Sequence, residues 1–296
     1  MLSGNLLWVL AGASLLGVAS GLIGSFAFLQ KQSLVGDGAA HAALPGIAIS
    51  FLIFQQKDLP LLMLGAIITA TISVYLIQGI INRSKLKSDA AIGIVLSVFF
   101  GAGIVLLTIV NQSSSGNQSG LNDFIFGKAA TMAKSDLVWL SGSALIIILT
   151  CLTFYKEWKL IIFDTTFAKG IGLPVNFLRF ILTAITVLTI VTGIQAVGVI
   201  LMSAMLIIPA ATARIWSDKL VTMIIMSALF GAFSGACGTL ISSLKTGLST
   251  GPIIVITASL LFIFSYIFSP KRGLLVKIQR RRQIAKRVLK QEVQAS

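Results

Sequence analysis

Soft metal ligands are scarce in this sequence, which holds one histidine and two cysteines in 296 residues. Cys151 and Cys237 stand singly inside apolar runs, so neither a CxxC zinc knuckle nor a disulfide framework is encoded. They read as small buried hydrophobes. Charge is scarce too: 11% of residues are charged, against about a quarter in an ordinary soluble domain. No GxxxxGKS/T loop occurs, which excludes ATP hydrolysis by this chain itself. No GxSxG elbow accompanies the lone histidine, so a Ser–His hydrolase lacks its nucleophile.

What the sequence has in quantity is apolar length. Hydrophobic residues make up 56% of the chain and its mean hydropathy is +0.97. The expectation is an all-α, polytopic, multi-pass membrane protein. A helix needs about 20 apolar residues to cross the hydrocarbon. Runs near that length fall at 6–29, 38–55, 60–82, 90–110, 136–155, 179–194, 196–215, 220–243 and 252–269. The run 6–29 lacks a basic start and is too long for a signal peptide, so it reads as a retained span. The runs 179–194 and 196–215 are separated only by Gly193-Ile194-Gln195, so the count is eight or nine.

Basic residues set the orientation. With nine spans and the amino terminus outside, the inner side receives Lys31, Arg83, Lys85, Lys87, Lys156, Lys159, Lys169, Arg179, Arg214, Lys219 and the basic tail. Only Lys57, Lys128, Lys134 and Lys245 fall outside, which favours nine. The net charge of +14 does not point to nucleic acid, because nine Lys and Arg against one Glu crowd into 271–296. A basic stretch straight after a span suits anionic lipid at the inner surface. The chain therefore divides into a membrane domain, 1–270, and a basic cytoplasmic tail, 271–296.

Three stretches carry chemistry. In the first, Asp37 and His41 are four apart at the start of an apolar run, hence on one face of a helix. A titratable pair near a bilayer is costly and usually functional, and carboxylate with imidazole suits a divalent transition metal. The second is the inner connection, about 155–178. Asp164 is placed to cap a short helix, Asp164, Ala168 and Gly172 repeat at four-residue intervals, and Pro174 ends it. Such a small-residue face suits docking in a partner's groove, and equally a solvated loop helix. The third, from Gln195 to Ala213, mixes small residues with Pro209 inside a span. Gln195 and Pro209 are candidates for a pathway or gate, against a reading of plain helix packing.

In this order the stretches resemble the membrane permease of bacterial ATP-driven manganese/zinc importers. The resemblance rests on Gly36-Asp37-Gly-Ala-Ala-His41-Ala-Ala-Leu-Pro45-Gly46, Ser88-Asp89-Ala-Ala-Ile-Gly93, Asp164…Ala168…Gly172-Leu-Pro174 and Gln195-Ala-Val-Gly198…Pro209-Ala-Ala-Thr-Ala213. The first is the specific one. It departs from the family beside the histidine, where an alanine replaces a frequent serine. The resemblance implies a type II-like importer permease of the bacterial cytoplasmic membrane, acting as a homodimer or a pair of close homologues. It implies cytoplasmic ABC ATPase subunits as partners, docked on Asp164, Ala168, Gly172 and Pro174. It also implies an external metal-binding lipoprotein that delivers the ion to Asp37 and His41. No permanent cofactor is expected; Mn2+ or Zn2+ is cargo. The oxygen ligand leans to manganese, with zinc or iron as the alternative metal. A proton-coupled secondary metal transporter is the alternative of another class, but the spans hold few acids and no evident inverted repeat.

Overall fold

The computed structural model describes residues 4–30, 33–56, 58–112, 134–244, 248–270 and 273–276. Apart from 273–276, the tail 271–296 lies outside the described residues, as does the loop that follows residue 112. The membrane helices are α1 (Gly4–Leu29), α2 (Ser33–Phe54), α3 (Leu59–Arg83), α4 (Ser88–Gln112) and α5 (Lys134–Thr153). Two short helices follow, α6 (Tyr155–Phe163) and α7 (Thr165–Gly170). Then come α8 (Val175–Val197), α9 (Val199–Trp216), α10 (Leu220–Ser243) and α11 (Thr250–Phe268). No strand occurs among the described residues, as hydrocarbon demands of a chain whose backbone must satisfy itself.

Eight of these helices are long and apolar enough to cross a membrane, while α9 offers the shorter apolar segment Leu201–Trp216. Its neighbours show that α9 crosses as well. Gly251, at the start of α11, lies against Val197 and Leu201. At the other end of α11 the Ser269 hydroxyl donates to the Ile215 carbonyl at 3.0 Å. So α9 runs beside α11 from end to end, and the described chain crosses the bundle nine times.

The break between α8 and α9 is not at Gly193-Ile194-Gln195, where the dip in hydropathy places it. It is at Gly198, whose φ of 90° and ψ of 161° are open essentially to glycine alone. Gly193 is helical and small for another reason: the Met202 thioether occupies the space where its side chain would go.

Glycines also decide which helices touch. Gly17 meets Gly231, Gly21 meets Ser227 and Ala13 meets Gly235, so α1 and α10 pack antiparallel with their backbones in contact. The Ser227 hydroxyl donates to the Gly21 carbonyl at 2.8 Å across this seam. Gly46 and Gly65 bring α2 and α3 equally close, and Gly103 seats α4 on Leu44 and Pro45. Without a hydrophobic drive between helices in lipid, such close contact is what holds them. Among the eight long spans α2 has the largest buried share, whereas α4 and α5 are peripheral.

Candidate metal-binding site

The central helix carries the acid and the imidazole. Asp37 Oδ1 and His41 Nε2 lie 3.5 Å apart on adjacent turns of α2. Two atoms that bind one ion at about 2.1 Å and share its coordination sphere lie roughly 3.0–3.4 Å apart, so the pair needs little movement to chelate. Gly36, just before Asp37, lies against Ile190 of α8 and Leu206 of α9. Both are far from the ends of their helices, which puts the pair within the depth of the bundle.

Packing fixes the imidazole. Phe100 of α4 meets the His41 ring edge to face, with centroids 4.9 Å apart and planes at 85°. One turn further along α4, Gly103 lets the helix rest on Pro45. Pro45 has no N–H, so the helical bond to the His41 carbonyl is missing at this turn. His41 Nδ1 is buried and has no hydrogen-bond partner in the structure.

The pair is not sealed. Leu34, one turn earlier on the same stripe of α2, is exposed. The side chains of Asp37 and His41 retain 31% and 15% of their accessibility. No group of three or more His, Cys, Asp or Glu that could hold a metal is present among the described residues. One chain therefore presents two candidate ligands, a carboxylate and an imidazole, on an open stripe.

The other sequence candidates sit elsewhere. Gln195 is buried in the last turn of α8, and Pro209 is buried within α9. Gly36 touches those helices at Ile190 and Leu206, five residues before Gln195 and three before Pro209. Asp164 ends α6 and caps α7, accepting from the Phe167 amide at 2.8 Å. Gly172, with φ 81°, turns the chain after α7, and Pro174 caps α8 rather than only stopping what precedes it. Ala168 corrects the sequence reading. It is fully buried and seats α7 on this chain, whereas Asp164, Gly172 and Pro174 are exposed, alongside Phe163, Phe167, Lys169 and Ile171. Phe100 was not foreseen: nothing local distinguishes it from other apolar residues of its span.

Nine crossings with a polar half-site on the central helix and a two-helix protrusion on the basic side define a membrane permease. The chain belongs to the ABC 3 transport family, whose model matches residues 3–269, and it is a multi-pass permease subunit of the cytoplasmic membrane. It is 50% identical over 289 residues to the manganese transport system membrane protein MntC of Bacillus subtilis, covering 98% of this chain. It spans 66% of that protein's length. It is 42% identical over 277 residues to the zinc transport system membrane protein TroC of Treponema pallidum, covering 94% of this chain and 93% of that protein. Its fold matches PsaBC of Streptococcus pneumoniae, solved in complex with Fab, with a TM-score of 0.82 and 34% identity. That match covers 94% of this chain and 96% of the other.

Proposed function

We propose that this permease moves manganese through a pathway formed by two copies, with Asp37 and His41 of each copy binding the ion in transit. The observation that carries the reading is the open half-site: two convergent ligands 3.5 Å apart on a partly exposed stripe of an otherwise buried helix. A two-fold axis beside that stripe would bring together two carboxylates and two imidazoles, an N/O set suited to Mn(II) or Zn(II). A transport site must also release its cargo. Two sparse half-sites without thiolate hold an ion less firmly than a closed structural zinc centre.

ATP is hydrolysed by a cytoplasmic partner that docks on the protrusion formed by α6 and α7. Its contact surface is the exposed side, with Asp164, Gly172 and Pro174 beside Phe163, Phe167 and Ile171, while buried Ala168 seats the segment. A lipoprotein on the other side of the membrane supplies the ion. Zinc is the second reading, favoured by the 42% identity to a permease named for zinc.

The test is uptake of labelled Mn(II) by the complete transporter, with and without excess Zn(II). Wild-type permease is compared with His41→Ala and Asp37→Asn at equal membrane abundance. Losing even a group that only supports a metal ligand costs about 10- to 100-fold in affinity or activity, so removing a ligand itself should collapse uptake. Weak competition by zinc then keeps manganese as cargo; strong competition moves the assignment to zinc. Normal uptake in both variants would remove the pair from the pathway.

A further inference from the structure

We propose that Trp158 is the joint through which the cytoplasmic segment moves the membrane bundle, a positioning residue for transport. The proposal rests on the reading of α6 and α7 as the part driven by the ATPase. Trp158 lies in the middle of α6 and is only 1% exposed. Its ring meets Phe26 of α1 edge to face at 5.3 Å and stacks on Phe154 at 5.9 Å. Its indole N–H donates to the Leu178 carbonyl of α8 at 3.1 Å, a buried bond between elements twenty residues apart. One side chain thus grips two membrane helices from outside the span.

The same turn of α8 is held from α7 as well. The Arg179 guanidinium donates to the Thr165 hydroxyl at 3.5 Å, and that hydroxyl donates to the Ile161 carbonyl at 2.8 Å. The Arg179 contact is long and exposed, so it adds little beside the buried indole bond. On one side α6 follows α5 after the single residue Phe154, with helical hydrogen bonds across the junction; the covalent connection to α8 is looser. It turns through Gly172 at positive φ, with no other group within 4 Å of where a side chain would stand. Displacement of α6 and α7 therefore reaches α1 and α8 through Trp158, with the buried Ile161 and Ala168 in the same core beside it.

Both arms lead to the half-site. Along α8, Ile190 lies against Gly36, beside Asp37. Along α1, Gly24 lies two residues before Phe26 and packs on the backbone of Leu206, whose side chain also lies against Gly36. A close-packed interior transmits a shift at one end to the other with little loss. The Trp158 joint would thus shift Ile190 and Leu206 together against the turn that holds the metal ligands.

The experiment uses the whole complex, permease with ATPase subunits and delivery lipoprotein, in proteoliposomes. Mn(II) uptake and phosphate release are measured in the same sample. Trp158→Phe keeps an aromatic ring and removes the N–H. With it, ATP consumed per ion should rise roughly fivefold, the scale of one lost buried hydrogen bond, with ATPase subunits still bound. Phe26→Leu loosens the other arm while leaving every residue of α6 and α7 in place, and should raise the ratio in the same direction. An unchanged ratio in assembled variants overturns the joint. If neither variant assembles, Trp158 serves folding alone, and the joint is again overturned. Absence of ATP-driven uptake by wild type would instead sink the transporter reading, and the joint with it.

Discussion

At the scale of residues the candidate site is an acid–imidazole pair held by one aromatic ring. Asp37 and His41 are adjacent because a helix makes i and i+4 neighbours, and the structure keeps them at 3.5 Å. Phe100 contributes orientation rather than a ligand, through an edge-to-face contact worth about 0.5–1.5 kcal/mol. Phe100→Leu keeps the volume and loses that geometry. The Mn(II) concentration for half-maximal uptake should rise about 2- to 10-fold, with maximal rate and membrane abundance near wild type. An unaltered half-saturation would mean that the ring merely fills space. The pair was legible in the sequence because its spacing is local. Phe100 was not, because it lies 59 positions beyond His41 and only packing brings it back.

At the scale of elements, two short features determine what the long helices do. Gly198 reverses the chain between α8 and α9 with φ 90°, so a side chain there is strained. Gly198→Ala should destabilise the permease by about 1–3 kcal/mol, seen as a lower melting temperature of the detergent-solubilised complex. A melting temperature equal to wild type would show that the hairpin tolerates another backbone path. Hydropathy misplaced this turn because it registers polarity, and Gly193 and Gln195 are helical despite theirs. The protrusion shows the same limit. The cap at Asp164 was readable from residue type and is present. Which face of α7 points outward was not, since burial of Ala168 depends on how α7 folds back against α6 and α8.

For the molecule as a whole, the nine crossings place the two ends of the membrane domain on opposite sides, in keeping with the inward weighting of Lys and Arg. The stripe with Leu34, Asp37 and His41 is left open by this chain's own helices, and on the proposed two-copy pathway a second copy would cover it. Leu34→Cys should then form a permease dimer on mild oxidation in membranes, absent in wild type, whose Cys151 is buried and whose Cys237 is half-buried. Band shifts on non-reducing gels read the outcome. Only monomer, in a complex that still transports, would place the two-fold contact on another face.

The sequence by itself determined the membrane class, the apolar runs, and the placing of Asp37 and His41 on one helix face. These depend on composition, charge placement and helical periodicity, all of which act over a few residues. The tertiary structure alone decided that α9 crosses beside α11, that the chain reverses at Gly198, and that α2 is the central helix. It alone decided that Ala168 faces inward, that Phe100 braces His41, and that Trp158 ties the protrusion to α1 and α8. Those outcomes follow from close backbone approach at glycines and from side chains meeting across long stretches of chain, which no local pattern encodes.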